Sequence, residues 1–461
     1  MTHRHICCAA MLVFAFCATA AAQSTSQIIA QTSGPFSGSV ASGQVTSEPL
    51  PLTLADAIQR GLTHNLGLIS IEQQVESARG SRLRTLRELM PRVDARMGDT
   101  TQTTNLAAFG FDPSLFPGIP SIVGPFNIFD ARVAGSQTLF DLAARNDVRS
   151  KTAALNAAKL DSLNARETVV FVITNLYFQA VAGESRIQTA RSQVTTAEAL
   201  LAQATALRNA GAAPGIDVVR AQVQLQSQRQ RMITAETEFG RQTIQLVRAI
   251  GVPTAQRIDL TDRTLSLPAS SIGLDTALAR AASARADYQA SLERVHAAES
   301  ALQAAKTDIV PSVHLNGDFG AIGSAPSDAR RTYSVSANVR VPLFDQDRRG
   351  REVENAAALR QRQSEAADLA QRIEAEVRTA FLDVQAAEQQ LAVARERVSL
   401  ADQELSLART RFTAGVTNNL EVIQAQDEVA AASDIEVVAT YAVNVARAGL
   451  VRTLGPANTQ P

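Results

Sequence analysis

Cysteine is nearly absent from this sequence: its 461 residues contain three, Cys7, Cys8 and Cys17. All three lie in residues 1–22, which are typical of a cleaved signal peptide. This segment has a polar, basic start, an apolar run and three alanines before Gln23. We therefore expect a mature chain without disulfides, thiolate metal sites or cysteine nucleophiles. A retained N-terminal anchor and lipid attachment at Cys17 are the alternatives, and a bulky residue before the cysteine disfavours the second.

An excess of charge of one sign is also lacking. Lys and Arg total 44 and Asp and Glu total 45, which gives a formal net charge of −1, and no dense basic patch is present. A nucleic-acid partner is therefore not expected. After the signal peptide we see no apolar stretch of the length of a transmembrane helix, about 20 residues. If the chain enters a membrane, we expect it to do so as β-strands.

Catalytic and metal-binding motifs are missing as well. Beyond the signal peptide the histidines are His64, His296 and His314, and none has a neighbour at the spacing of a metal-binding motif. The sequence contains no Gly-x-Ser-x-Gly elbow, phosphate-binding loop or dinucleotide fingerprint. We predict that the protein is not an enzyme and that it holds no cofactor and no metal.

The sequence does contain an internal repeat of two copies. "LTLADAIQRGL" at 52–62 matches "IGLDTALARAA" at 272–282, and the triplet LFD at 139–141 recurs at 343–345. The offset changes from 220 to 204 between these matches, so the first copy carries 220 − 204 = 16 extra residues. A register kept over so many residues indicates an internal duplication.

The duplication and the composition together predict the domain organisation. The predicted segments are a signal peptide (1–22), a flexible leader rich in Ser, Gly and Thr (23–51), a first repeat (52–251), a linker (252–271), a second repeat (272–455) and a C-terminal tail (456–461).

Each copy has the same order of elements. A helix is predicted over 53–89 and over 273–309, and Pro91 and Pro311 end these helices. Strands follow. In "RRTYSVSANVRVPLF" and "PSVHLNGDFGAIG" apolar residues such as Tyr333, Val335, Val339 and Phe319 alternate with polar ones. Such strands suit a β-barrel that faces lipid outside and water inside, and a small soluble hairpin is the alternative.

The longest predicted helices follow the LFD triplets. The segments from Phe140 to Gly211 and from Phe344 to Gly415 contain no proline, so each predicts a helix of about 65 residues and about 100 Å. The returning helices, 216–250 and 420–454, are about half as long. We expect each to stack end to end with a helix near the proline of its copy (66–90 and 286–310), so that together they cover the same span.

Two kinds of junction are candidate functional positions. Gly211 and Gly415 lie where left-handed glycines end helices, and the carboxylates of Asp217 and Glu421 follow six residues later. These acids are either favoured by the dipole of the next helix or form a cation-attracting ring at a constriction. The strand–helix junctions contain Asp141, Asp345, Pro91 and Pro311, and we predict that the two aspartates cap the long helices.

The duplication, the helix–strand–strand–helix order, the LFD junctions and the corner "F-x-x-G…L-E-V-x-x-A-Q" at 412–426 resemble the TolC-type outer-membrane efflux channels. The resemblance covers the chain from about residue 52. It implies an all-α-dominated membrane protein with a β-barrel segment. It also implies a homotrimer, whose three copies form a twelve-stranded β-barrel and a periplasmic α-barrel. Its implied partners are outer-membrane lipid, a periplasmic adaptor (membrane fusion) protein and an inner-membrane transporter.

The resemblance also assigns residues to the periplasmic tip. The family's first-half tip acid falls on Asp217, and the two acids of its entrance ring fall on Glu421 and on the uncharged Gln424. The tyrosine and arginine that tie the closed tip fall on Phe412 and Thr417, which cannot make the same bonds. The other tip-turn positions are the glycines Gly211, Gly215 and Gly415. The resemblance therefore implies a less acidic gate that is held closed in another way.

The predicted function is passive export of small molecules, such as drugs or other toxic compounds, through an exit duct in the outer membrane of a Gram-negative cell. The nearest alternative is a channel for type I protein secretion. A periplasmic coiled-coil adaptor or scaffold without a pore is an alternative of another class. The strands separate the classes, because an adaptor needs no lipid-facing girdle.

Overall fold

The structure of the protein is a computed structural model that describes residues 34–110, 120–212, 214–262, 267–268, 272–417 and 419–455. The expected signal peptide and C-terminal tail lie outside the described residues, as does the first part of the expected leader. The chain forms two compact units. The first unit is formed by the described parts of Met1–Gln73, Leu160–Gln289 and Leu369–Pro461, and the second by Gln74–Lys159 and Ala290–Asp368.

The first copy of the repeat and the linker contain helices α1 to α4 and strands β1 to β4. Their bounds are β1 Leu50–Leu52, α1 Leu54–His64, α2 Leu66–Leu86, β2 Arg92–Asn105, β3 Ile122–Phe140, α3 Leu142–Asn209, α4 Gly215–Ala249 and β4 Ile258–Leu260. The second copy contains α5 Leu274–Ala284, α6 Ala286–Thr307, β5 Ser312–Gly323, β6 Arg330–Arg340, α7 Gln346–Thr413 and α8 Asn419–Thr453.

The helix bounds confirm the duplication. Helices α3 and α7 both have 68 residues, α4 and α8 both have 35, and each pair is offset by 204 positions. Helices α1 and α5 both have 11 residues and are offset by 220. The change of offset lies between β2 and β3, where the first copy has the longer connection.

The prediction of one continuous helix before each proline is wrong, because each is interrupted at a single extended residue. In the first copy that residue is Asn65, which is fully buried. Its side-chain Oδ1 accepts hydrogen bonds from the N–H groups of Gly67 and Leu68 at 3.0 and 3.3 Å. Its Nδ2 donates to the carbonyl of Phe36 at 2.6 Å. The amide thus satisfies the backbone groups freed at the start of α2.

In the second copy the equivalent residue is Arg285. Its guanidinium donates two hydrogen bonds to the carboxylate of Asp287, at 3.0 and 2.6 Å, and another to Glu376. Burial raises the pKa of the Asp287 carboxyl. The hydrogen bonds and charge of Arg285 lower it by more, so the pKa lies below its usual range. The two copies therefore stabilise the same interruption with different chemistry.

The expected leader and the expected linker contain hydrogen-bonded structure where they are described. The N–H of Val40 donates to the carbonyl of His64 at 2.9 Å, and the N–H of Thr46 donates to Oε1 of Gln256 at 2.7 Å. Strand β1 pairs in parallel with β4. These hydrogen bonds join each segment to partners more than 20 positions away along the chain.

The core of the first unit lies around Tyr177, which is fully buried on α3. Its hydroxyl donates to the carbonyl of Leu52 at 3.0 Å and accepts from the N–H of Asp262 at 3.3 Å. Helix α1 packs closely against α3 beside Tyr177. Glycine is required at position 61 because a Cβ added there would lie 1.8 Å from Cδ1 of Ile173. This cluster also contains Ala57, Leu68, Val169, Leu246, Val247, Ile250 and Leu260. A second cluster repeats the pattern with Ala277, Ala281, Ile373, Val377, Leu450 and Leu454.

The second unit contains an antiparallel sheet with the strand order β2–β3–β5–β6. Paired residues share a face, and the register pairs Phe319 with Val133 and with Tyr333. One face carries Val93, Ala95, Met97, Phe129, Ala131, Val133, Val313, Leu315, Phe319, Ala321, Tyr333, Val335, Ala337 and Val339, with Asp99 and Arg331 near one end. The other face carries Arg92, Asp94, Arg96, Asp130, Arg132, Ser136, Thr138, His314, Asn316, Asp318, Ser334, Ser336, Asn338 and Arg340.

One helix corrects the expectation that no segment after the signal peptide has the length and composition of a membrane span. Helix α8 is long and apolar enough to qualify. It nevertheless packs within the first unit, where its Asp434 pairs with Arg186 at 2.8 Å and its Glu436 pairs with Arg395 at 3.7 Å. These ion pairs join it to α3 and α7. Length and composition alone do not distinguish such a helix from a spanning one.

We expect Tyr177→Phe to lower the free energy of unfolding by about 1–2 kcal/mol, because it removes the buried donor to Leu52 and the acceptor for Asp262. Thermal or denaturant unfolding of the purified protein measures the change. Tyr333→Phe is the control, since the Tyr333 side chain is exposed on the sheet, and should change little. Equal effects of the two substitutions would contradict the role of the buried hydroxyl.

Candidate gate at the helix corners

The first corner connects α3 to α4 through a left-handed glycine. Gly211 has φ +72°. Its N–H donates to the carbonyl of Arg208 at 2.9 Å, and the N–H of Ala212 donates to that of Leu207 at 2.9 Å. This pair of bonds is the Schellman motif that satisfies the last carbonyls of a helix. Gly215 then begins α4.

The second corner repeats this geometry 204 positions later. Gly415 has φ +71°, and its N–H donates to the carbonyl of Phe412 at 3.0 Å. The N–H of Val416 donates to the carbonyl of Arg411, also at 3.0 Å. An added Cβ would meet no atom within 4 Å at either glycine, so the positive φ, rather than lack of space, requires glycine here.

Asp217 lies in the first turn of α4, and its side chain is only 5% exposed. Arg220 approaches it, with Nη1 3.5 Å from Oδ1. Oδ1 itself accepts no hydrogen bond within the part of the chain that the structure describes. A carboxylate in the first turn is stabilised by the helix dipole, but this one has little contact with solvent in the single chain.

Glu421 occupies the corresponding turn of α8 and is much more accessible, with 41% of its side chain exposed. Its Oε1 lies 3.1 Å from Nε of Arg411, at the end of α7. Gln424, one turn further on, is exposed. The two acids that the sequence treats as equivalents therefore have different surroundings.

Asn419 brings the two corners together. It is fully buried at the start of α8, and its Nδ2 donates to the backbone carbonyl of Asp217 at 3.1 Å. An apolar cluster lies beneath both corners and is built from Leu200, Ala204, Val218, Ala221, Leu405, Ala408, Phe412, Val422 and Ala425. Phe412 is thus a core residue, whereas Thr417 is half-buried in the turn.

A further polar contact joins the two helical hairpins, α3–α4 and α7–α8, and was not predicted from the sequence. Oδ1 of Asp427, on α8, accepts hydrogen bonds from Nε2 of Gln224 at 3.0 Å and of Gln228 at 3.4 Å. Nη1 of Arg231 lies 3.2 Å from the same oxygen. These three residues stand four and three positions apart on α4, a spacing that places them on one helix face. That spacing is the signal by which they could have been found.

The strand–helix junctions belong to the unit that contains the sheet. Oδ1 of Asp141 accepts a hydrogen bond from the N–H of Ala144 at 2.8 Å, and Oδ1 of Asp345 accepts one from the N–H of Asp347 at 2.9 Å. The two aspartates therefore cap α3 and α7. Pro91 and Pro311 lie directly before β2 and β5, respectively.

Comparison with known proteins assigns this architecture to a family. The family described as outer membrane efflux protein matches residues 57–252 and 266–456 of the chain. The chain therefore belongs to the outer membrane efflux protein family. Its members are channels rather than enzymes and act in tripartite efflux systems. The protein is thus an efflux channel of the outer membrane.

Individual relatives agree with this assignment. The pyoverdine export outer membrane protein OpmQ of Pseudomonas aeruginosa is 25% identical over 415 residues, which are 87% of this chain and 85% of that protein. The outer-membrane channel OprN superposes with a TM-score of 0.76 at 20% identity, over 88% of this chain and 90% of OprN. The CmeC channel of Campylobacter jejuni gives 0.77 at 16% identity, over 87% and 85%. These two structures share the fold.

We expect Asp427→Ala to loosen the contact between the two hairpins, because it leaves two amides and a guanidinium of α4 without their acceptor. Hydrogen exchange should become faster in residues 207–222 and 411–426.

Glu428→Ala is the matched control for this substitution. Glu428 is the next residue but pairs with Arg397 of α7, within its own hairpin, at 2.7 Å. Unchanged exchange in the Asp427 variant, or an equal change in both variants, would contradict a joining role for Asp427.

Proposed function

We propose that three copies of this chain form an exit duct that carries small molecules passively out of the periplasm. An inner-membrane transporter supplies the energy, and a periplasmic adaptor connects the two. The observation that carries the proposal is the four-stranded sheet, which has one apolar face and whose two edge strands, β2 and β6, have no further strand partner among the described residues.

The unpaired edges support assembly. A bilayer offers no hydrogen-bond partners to backbone groups, so a sheet that crosses it must close on itself. Four strands are too few to close into a barrel, whereas three copies supply 4 × 3 = 12 strands. In the proposed trimer the β6 edge of one copy pairs with the β2 edge of the next.

The two faces of the sheet support its orientation. Tyr333, Val335 and Val339 are 77%, 74% and 64% exposed in the single chain and lie on the same face as Phe319. Exposing an apolar face of this kind to lipid costs little free energy, whereas exposing it to water is unfavourable. The opposite face carries charged and hydroxyl side chains and lines the water-filled interior.

We expect Val335→Arg to reduce the yield of folded protein in the outer membrane, because arginine on a lipid-facing strand costs about 2–4 kcal/mol near the bilayer centre. Ser336→Arg is the matched control: it is the next residue on β6 and faces the other way, so its yield should match that of the unchanged protein. Native mass spectrometry of the purified protein should show three copies. A monomer, or equal loss in both variants, would refute the proposed arrangement.

The proposed gate consists of the corners that contain Asp217, Glu421 and Gln424. The left-handed turns at Gly211 and Gly415 return each chain within a few residues, so six corners can gather around the axis of a trimer. Carboxylates in such a ring favour cations. We expect Glu421 to affect ion selectivity more than Asp217 does, since Glu421 is accessible whereas Asp217 is buried beside Arg220.

Small molecules are the proposed cargo because a relative that matches most of the chain is named for export of pyoverdine. Type I secretion of polypeptides is the alternative. The structure of one chain does not favour it, because no feature of the described residues is specific for a polypeptide.

In planar bilayers we expect Glu421→Gln to lower the preference for cations over anions, because each copy loses an accessible negative charge. Asp217→Asn alone should change it less, and the double variant should lose most of the preference and bind polyvalent cations more weakly. Glu299→Gln, an exposed acid of α6 in the other unit, is the control. Unchanged selectivity in the double variant would mean that the two acids serve only as helix-terminal residues. No conductance, even in tip variants, would refute the channel.

A further inference from the structure

A polar cleft of about 680 Å³ lies at the foot of the sheet, the end where β2 and β5 begin and β3 and β6 finish. Its wall comes from the end of α2 and the turn after it, and its floor from all four strands, mainly from their polar face. The residues that line it are Arg84, Arg87, Glu88, Met90, Arg92, Ser136, Gln137, Thr138, His314, Asn316, Asn338 and Arg340. The whole cleft belongs to the unit that contains the sheet.

The charge of the cleft is unbalanced. Its lining holds four guanidinium groups and one carboxylate, that of Glu88. Arg92 pairs with Asp94 at 2.7 Å, but Arg84, Arg87 and Arg340 make no ion pair within the described residues. Unpaired arginines around one concave surface repel one another, and an anion bound between them relieves that repulsion.

The floor of the cleft supplies further polar groups that suit the same ligand. The ring of His314 is held from both sides, with Nδ1 3.2 Å from the hydroxyl of Thr138 and Nε2 3.1 Å from that of Ser312. Asn316 and Asn338 lie beside it and contribute side-chain amide donors. Guanidinium groups combined with amide and hydroxyl donors match the geometry of carboxylate and phosphate oxygens.

We propose that this cleft is an anion-binding site that receives carboxylate- or phosphate-bearing molecules on their way through the channel. The inference rests on the proposed function, because it requires the polar face of the sheet to line the duct. In the closed trimer, pairing of the two sheet edges brings the Arg340 side of one cleft next to the Arg92 side of another. The three clefts then form a basic girdle at this level of the duct.

A lipid phosphate is the other source of the same chemistry. The cleft lies on the polar face, opposite Val335 and Val339, so the proposed orientation directs it away from lipid. We therefore commit to a soluble anion, and the experiment distinguishes the two sources.

Isothermal titration calorimetry of the purified full-length protein with sodium tripolyphosphate, at constant ionic strength, measures the affinity of the site directly. We expect Arg87→Gln combined with Arg340→Gln to weaken binding by about tenfold or more, since two charge-assisted contacts are lost. Arg330→Gln is the matched control. Arg330 lies on the same face of the same strand at its opposite end, and its loss should change affinity by less than about twofold.

The possible results separate clearly. Equal affinity in the double variant and the control, or no binding by the unchanged protein, would overturn the site. Binding to phosphatidylglycerol vesicles through Arg87 and Arg340, without binding of tripolyphosphate, would overturn the soluble-anion assignment in favour of lipid. Both arginines are exposed, so unchanged thermal unfolding should show that the double variant is folded.

Current measurements in planar bilayers test whether the anion site lies inside the duct. We expect tripolyphosphate to reduce the current of the unchanged protein, with the half-blocking concentration about tenfold higher in the double variant. A channel that conducts but is blocked equally in both proteins would overturn the inference and leave the proposed function intact. A protein that binds tripolyphosphate through these arginines but never conducts would refute the duct while supporting the site.

Discussion

The assembly that we propose depends on hydrogen bonds that the two edges of the sheet leave unmade. Within the described residues, strands β2 and β6 each have one edge of backbone N–H and C=O groups without a strand partner, and one face of their sheet is apolar. In water these edges would promote aggregation, and in lipid they would be prohibitively costly. Closing the edges between copies of the chain solves both problems. The proposed trimer and the proposed orientation of the polar face both follow from that requirement.

Sequence patterns predicted the features whose cause is local. Alternation at Tyr333 and Val335 indicated the strands and their faces, and the glycines of the corners indicated turns that the structure contains. The patterns missed what depends on distant partners. Nothing near Asn65 in the sequence indicates that its amide will hold the carbonyl of Phe36, and nothing in residues 252–271 shows that β4 will pair with β1. The contact at Asp427 was missed for the same reason, because its donors lie about 200 positions earlier.

The two copies have kept their geometry while exchanging the groups that stabilise it. An amide at Asn65 is replaced by an ion pair at Arg285, although the backbone is interrupted at equivalent positions. Tyr177, with its hydroxyl bonds, corresponds to Phe381, which packs against a smaller apolar cluster. The backbone shape is therefore conserved more strictly than the chemistry that supports it. A duplicated fold of this kind tolerates divergence wherever the same groups can be satisfied in another way.

The unequal burial of the two corner acids determines how much charge the proposed gate presents. Asp217 is withdrawn from solvent, while Glu421 is accessible and lies within ion-pair distance of Arg411, itself 56% exposed. In the proposed trimer, the three accessible carboxylates each lie beside a guanidinium at the end of α7. Arg411 therefore offsets part of the negative charge that Glu421 brings to the ring. The cation preference of the proposed gate is accordingly weaker than six free carboxylates would give.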